Sequence, residues 1–126
     1  MKKKVLIVDD EPNIIVPLQF LMEQNGYEVI VAPTGEAAME AIAVEQPDLI
    51  LLDIMLPGIY GYQVCQSIRT KSEWQDIKII FISAMGRDVD VAKGLALAAD
   101  AYITKPFAIA DVVEKVNHLL KVGNGD

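Results

Sequence analysis

The chain is 126 residues long, with 52% hydrophobic and 23% charged residues and a formal net charge of −7. That length suits one domain, large enough to bury roughly two thirds of its unfolded surface and to fold without a disulfide or metal staple. The acidic balance argues against a nucleic-acid surface, and the single cysteine, Cys65, excludes a disulfide framework. Lys2, Lys3 and Lys4 open the chain as a basic start, but only Val5 to Val8 separate them from Asp9 and Asp10. This apolar run is too short for a signal peptide or a membrane span, so a cytoplasmic protein is expected.

Strand-type apolar runs then alternate with helical patterns, which points to repeated βα units and a parallel sheet covered on both faces. Strand one is Lys4 to Val8. Helix one places Ile14, Leu18, Leu21 and Met22 on one face, and Gly26 is placed to end it. Pro17 falls inside that pattern, where it removes a hydrogen bond and crowds the preceding turn, so a kink or a late helix start is expected. Strand two is Glu28 to Ala32. Thr34 can cap a helix that runs to about Glu45 with Ala37, Ala38, Ala41 and Ile42 inward, and Pro47 stops it. Strand three, Leu49 to Asp53, is the most hydrophobic, as a strand buried on both faces should be.

After the loop Ile54 to Tyr60, in which Pro57 and Gly58 set a sharp exit, a third helix turns Val64, Cys65 and Ile68 inward. Beside these neighbours Cys65 reads as a buried reduced thiol. The polar stretch Thr70 to Asp76 is loop-like. Strand four is Lys78 to Ser83, helix four about Asp88 to Ala98, and strand five Ala101 to Thr104. Helix five buries Val112, Val113, Val116, Leu119 and Leu120. Residues 1–122 are expected to form one domain and 123–126 a flexible tail, with no repeat and no output module on the chain.

In open parallel sheets, ligands bind outside the carboxyl ends of the strands. Asp9 and Asp10 follow strand one, Asp53 closes strand three, Ser83 closes strand four, and Lys105 follows strand five. A strand order 2-1-3-4-5 makes strands one and three neighbours, so the three carboxylates share a rim, with Asp53 exposed there. Left alone they repel, which raises at least one pKa. Mg²⁺, or Mn²⁺ in its place, resolves this, because such an ion takes octahedral oxygen ligands from one or two carboxylates plus phosphate and keeps several waters. An Asp53 oxygen is then free to attack phosphorus in line. The Ser83 hydroxyl and the Lys105 ammonium suit the acyl phosphate that results. Pro106 follows Lys105, and a cis bond there would aim the lysine inward.

The supporting motifs are Val8-Asp9-Asp10-Glu11, Leu52-Asp53-Ile54-Met55-Leu56-Pro57-Gly58 with Gly61, Ile82-Ser83-Ala84, and Asp100-Ala101-Tyr102-Ile103-Thr104-Lys105-Pro106-Phe107. Each alone is weak. In this order, each at a strand end, they resemble the receiver domains of two-component response regulators over nearly the whole chain. The resemblance implies a flavodoxin-like, doubly wound (βα)5 three-layer sandwich with a parallel five-stranded sheet in the order 2-1-3-4-5. It also implies that Asp53 is the phosphoacceptor and that Asp9, Asp10, Asp53 and the main-chain carbonyl of Met55 hold Mg²⁺. Ser83 and Lys105 contact the phosphoryl group, and Ser83 with Tyr102 forms the switch. The donor is a phosphohistidine on a histidine kinase or a histidine phosphotransfer protein, for which acetyl phosphate can substitute.

Phosphorylation replaces one negative charge by about two. The face of helix four, strand five and helix five then changes shape and signals to a downstream effector. This is a switch that catalyses only its own phosphoryl transfer and slow self-dephosphorylation, with no direct contact to nucleic acid or membrane. A homodimer through the same face is a further implication. Val91 and Ala101 cannot supply the charge pairs of the family's transcription-factor branch there, although Asp111 and Lys115 remain. Helix four is unusually apolar, with Val89, Val91, Ala92, Leu95, Leu97 and Ala99, which favours a different partner surface. Ala98 and Ala101 stand where glycine and a second aspartate are common, and Tyr60 occupies a loop position usually small or acidic.

Plainer readings exist for each residue. Asp9 and Asp10 could cap helix one, Ser83 could serve only a turn, and Tyr102 could be a fixed core aromatic. Glu11 reads as a surface residue near the site, and His118 and Lys2 to Lys4 as solvated. Haloacid-dehalogenase-type phosphatases use a similar set, but need a second Asp where this chain has Met55. A nucleotide- or flavin-binding module lacks its glycine-rich loop after strand one. A receiver degenerate in its site and used only for docking does not fit the complete acidic set. Met55 and Met85 flank the site and offer little to position an attacking water, so a long-lived phosphoryl group is expected.

Overall fold

Five short apolar runs pair side by side, all parallel, in the order β2-β1-β3-β4-β5. The computed structural model describes residues 2–56, 60–84, 92, 93, 96 and 99–120. The strands are β1 Lys4–Val8, β2 Glu28–Ala32, β3 Leu49–Asp53, β4 Lys78–Ser83 and β5 Ala101–Thr104. The helices are α1 Pro12–Gln24, α2 Gly35–Glu45, α3 Gly61–Arg69 and a final helix, Ile109–Leu120. All five strands lie where the sequence predicts them. Of the expected helix four, Ala92, Lys93 and Ala96 are described, each helical. The rest of that expectation lies outside the described residues, as do Pro57, Gly58, Met85 and the tail.

Alternation along each strand sorts the core into two layers. Leu6, Val8, Ile50, Leu52, Ile79 and Phe81 pack with Ala38, Ile42, Val64, Cys65 and Ile68 from α2 and α3. Val5, Ile7, Leu49, Leu51, Ile80 and Ile82 pack with Leu18, Met22, Val112 and Val116 from α1 and the final helix. Every residue of β3 is buried, because both faces of the central strand are covered. Ala37, Ala41, Leu119 and Leu120, expected inside, pack half-buried at the margins. The Tyr27 hydroxyl donates to Asn117 Oδ1 and joins the start of β2 to the final helix.

Local chemistry sets the helix ends. The α1 helix begins at Pro12, whose absent N–H would have been unpaired anyway, so the late start expected from Pro17 does not occur. Pro17 removes only the donor to the Asn13 carbonyl, and the helix runs unbroken to Gln24, with Gly26 beyond it at φ 91°. Thr34 Oγ1 accepts the Ala37 N–H at 3.0 Å and caps α2. At the other end Gln46 takes the left-handed conformation just before Pro47. The stretch expected as a loop after α3 carries one 3-10 turn, Ser72–Trp74, held by Gln75 Nε2 donating to the carbonyls of Arg69 and Lys71. Lys4 is half-buried rather than solvated: its N–H donates to Asp48 Oδ2 at 2.8 Å and its Nζ to the Glu45 carbonyl at 3.0 Å.

Leu51 sits 1% exposed on the central strand, beneath α1 and the final helix. Leu51→Ala is expected to lower the unfolding free energy by about 2–5 kcal/mol, read from urea denaturation. A loss below about 1 kcal/mol would contradict close packing at that position.

Candidate functional site

Register brings the strand-end charges together. Val8 pairs with Leu52, so the chain leaves β1 at Asp9 beside the last residue of β3, Asp53. Asp53 pairs in turn with Ile82, and Ser83 with Thr104, so Ser83 and Lys105 reach the same rim. Carboxylate oxygens of Asp9, Asp10 and Asp53 all lie within 4.8 Å of one another. Lys105 Nζ stands 3.3 Å from Asp53 Oδ2, 3.4 Å from Asp9 Oδ2 and 2.8 Å from Glu11 Oε1. The Lys105–Pro106 bond is cis.

Asp53 is not exposed at the rim as expected; it is only 4% exposed, and Asp9 only 3%. Ile54 and Leu56, which follow Asp53, are buried, and α3 starts against the Asp53 backbone. A Cβ on Gly61 would stand 2.5 Å from the Asp53 carbonyl oxygen, so only glycine permits this approach. Asp10 is exposed. Neither Asp9 nor Asp10 is the N-cap of α1, a position that Glu11 holds with no side-chain cap bond.

Each buried carboxylate divides its oxygens in the same way. Asp53 Oδ1 accepts the Met55 N–H at 3.0 Å, and Asp9 Oδ1 accepts the Glu11 N–H at 2.9 Å. The Oδ2 atoms face Lys105. Burial raises the pKa of both Asp9 and Asp53, against the lowering pull of these backbone bonds and of Lys105. Repulsion between Asp9 and Asp53 adds to the rise at Asp53 but is a lesser cause than burial. Burial alone would lower the Lys105 pKa; the Glu11 hydrogen bond and the charges of Asp53 and Asp9 outweigh it and raise it. One ammonium thus faces three carboxylates, Asp9, Glu11 and Asp53, with Asp10 a fourth in the group, and the donors are all hard oxygen, which fits a hard divalent cation held by Asp9, Asp10 and Asp53.

Ser83 is fully buried, and its carbonyl accepts the Lys105 N–H at 2.8 Å. Tyr102 is half-buried on β5, its ring 6.1 Å from Phe81, and Phe81 meets Tyr62 edge-on at 5.4 Å. Lys93 Nζ lies 4.7 Å over the Tyr62 ring. Cys65 is buried and its thiol pKa is pushed up to about 11 by that burial, as an inert thiol requires. His118 and Tyr60 are exposed.

Two contributors escape the reading of the sequence. Glu11 is exposed and near the site as expected, but its contact to Lys105, the shortest that lysine makes to a carboxylate, is not foreseen; its signal is its place two residues after Asp9, where the chain turns into α1. Asp100 Oδ2 accepts from the Ile79 N–H at 2.8 Å and Arg69 Nη2 at 3.1 Å, fixing the start of β5 against β4 and α3.

The sequence profile of the response regulator receiver domain matches residues 5–117. The chain belongs to that family. This receiver domain is 41% identical over 121 residues to the alkaline phosphatase synthesis transcriptional regulatory protein PhoP of Bacillus subtilis, covering 96% of the chain and 50% of the relative. It spans about half the length of the curated relatives it matches. Among solved structures it resembles the receiver domain of the Francisella response regulator 1452, at 31% identity and a TM-score of 0.88 over 95% of this chain and 98% of that one. It also resembles the beryllofluoride-activated N-terminal receiver domain of Klebsiella pneumoniae RstA, at 32% identity and a TM-score of 0.86 over 94% and 99%. The fold is the flavodoxin-like sandwich expected from the sequence, and the chain is the receiver domain of a two-component response regulator, a signalling switch with Asp9, Asp10 and Asp53 in its acidic pocket. Among the described residues, no helix is long and apolar enough to cross a membrane.

Raised carboxylates bind protons more tightly in the folded chain than in the unfolded one, so their contribution to stability is full below the unfolded pKa and lost as pH rises through the folded value. Asp53→Asn is therefore expected to raise the thermal midpoint of the metal-free protein at neutral pH. The gain should shrink as pH falls through the raised folded pKa toward 3.8, the ordinary aspartate value, and be absent below it. Calorimetric melts across that pH range check it, and a gain independent of pH would refute the account.

Proposed function

We propose that this receiver domain accepts a phosphoryl group on Asp53 from a phosphohistidine of a histidine kinase or histidine phosphotransfer protein. The observation that carries the reading is the cluster of Asp9, Asp10 and Asp53 with Lys105 Nζ at 3.3 Å from Asp53 Oδ2. Because Oδ1 of Asp53 is held by the Met55 N–H, Oδ2 is the nucleophile. It forms the new O–P bond as the N–P bond of the donor breaks, and the imidazole leaves with the electron pair and takes up a proton from solvent. Lys105 shifts its charge from the carboxylate to the phosphoryl oxygens, and the Ser83 hydroxyl donates to one of them. Asp9, Asp10, Asp53 and the main-chain carbonyl of Met55 would hold Mg²⁺, or Mn²⁺, which supplies charge neutralisation during transfer.

The phosphorylated form then reorganises Ser83 and Tyr102, and the face that includes β5 and the final helix carries the signal to a downstream effector in the cytoplasm. Such a switch needs a bias of only a few kcal/mol between two states. We place residues 1–122 in the domain, with 123–126 as its tail, and include self-association through the same face. No direct contact with nucleic acid is proposed for so acidic a chain. Turnover is limited to the domain's own phosphoryl transfer and slow self-dephosphorylation.

Acetyl phosphate with Mg²⁺ is expected to add one phosphoryl group by intact mass, and Asp53→Asn to remove that addition; equal labelling of both proteins would sink the assignment. The lifetime follows from Met55, whose exposed thioether cannot hold a water by a strong hydrogen bond. After removal of the donor the label is expected to persist for minutes or longer, and decay within seconds by time-resolved mass measurement would contradict it.

A further inference from the structure

Lys105 has three ammonium protons and three carboxylate partners, and its shortest contact is to Glu11, at 2.8 Å against 3.3 and 3.4 Å to Asp53 and Asp9. Glu11 is held in place from both sides. Its N–H donates to Asp9 Oδ1 at 2.9 Å, and its carbonyl accepts the N–H groups of Ile14 and Ile15 at 2.9 and 3.0 Å at the start of α1. The backbone that presents this carboxylate is thereby tied to an acidic residue of the site. The side chain itself is 56% exposed, so water can replace the ammonium at little cost when it leaves. Asp9 and Asp53 differ in this respect, since both are buried and their Oδ2 atoms are the oxygens that a cation and a phosphoryl group need.

We propose that Glu11 is a positioning residue that draws the Lys105 ammonium toward solvent and keeps it from closing onto Asp53 and Asp9 until the cation and the phosphoryl group arrive. The inference rests on the phosphoacceptor reading above and goes beyond it by assigning a role to a residue outside the acidic cluster. Without Glu11, the ammonium leans onto the two Oδ2 atoms and competes with the cation for them. Glu11 acts through Lys105, so its effect should vanish when Lys105 carries no charge.

The test is Mg²⁺ titration calorimetry on the full chain. Glu11→Gln is expected to weaken Mg²⁺ binding about three- to fivefold, and to have no effect when made in a Lys105→Met background. An equal loss in both backgrounds, or no loss in either, overturns the proposal. A second readout needs neither metal nor the double variant: the Lys105 ammonium resonance of the metal-free protein moves in Glu11→Gln, and an unmoved resonance also overturns it. Failure of the wild-type chain to bind Mg²⁺ would instead overturn the phosphoacceptor reading, and this inference with it.

Discussion

The structure turns on one ammonium among four carboxylates at the carboxyl end of a parallel sheet. Two of those carboxylates, Asp9 and Asp53, are almost fully buried, a placement that is costly without compensation. Each is stabilised by one backbone N–H on Oδ1 and by Lys105 facing Oδ2. That leaves an excess of negative charge and a set of hard oxygen atoms in one place. A site of this kind is incomplete by construction and favours whatever brings positive charge to it.

The rest of the fold holds that arrangement in place. Two apolar layers lock the central strands so that β1 and β3 end side by side, and the covered central strand leaves Asp53 no alternative register. Gly61 lets α3 begin in contact with the Asp53 carbonyl. From the same region an aromatic series, Tyr62, Phe81 and Tyr102, crosses from α3 through β4 to β5, with Lys93 over its outer end. These rings pack α3, β4 and β5 together beside the site.

Much of this was legible in the residues. The bounds of all five strands follow from apolar runs ended by a charged residue, a proline or a serine, and Thr34, Gly26 and Pro47 mark helix ends through chemistry local to each. Asp9, Asp10, Asp53, Ser83 and Lys105 were each identifiable as strand-end residues. Pro17 shows the limit of propensity, since packing of Leu18 and Met22 against the sheet keeps α1 continuous through it. Lys4 and Glu11 looked like surface charges because their partners, Glu45 and Lys105, are distant in the chain.

The sequence by itself determined the parallel five-stranded architecture, the residues at the strand ends and the kind of chemistry they can perform. Those properties depend on periodicity and residue type, which are local. Only the tertiary structure decided that Asp53 is enclosed, that burial rather than mutual repulsion chiefly raises the two aspartates, and that Glu11 takes the nearest place on Lys105 across 94 positions of chain. Such facts depend on what packs around a rim and on distances set by strand register, and neither is written in any short stretch of residues.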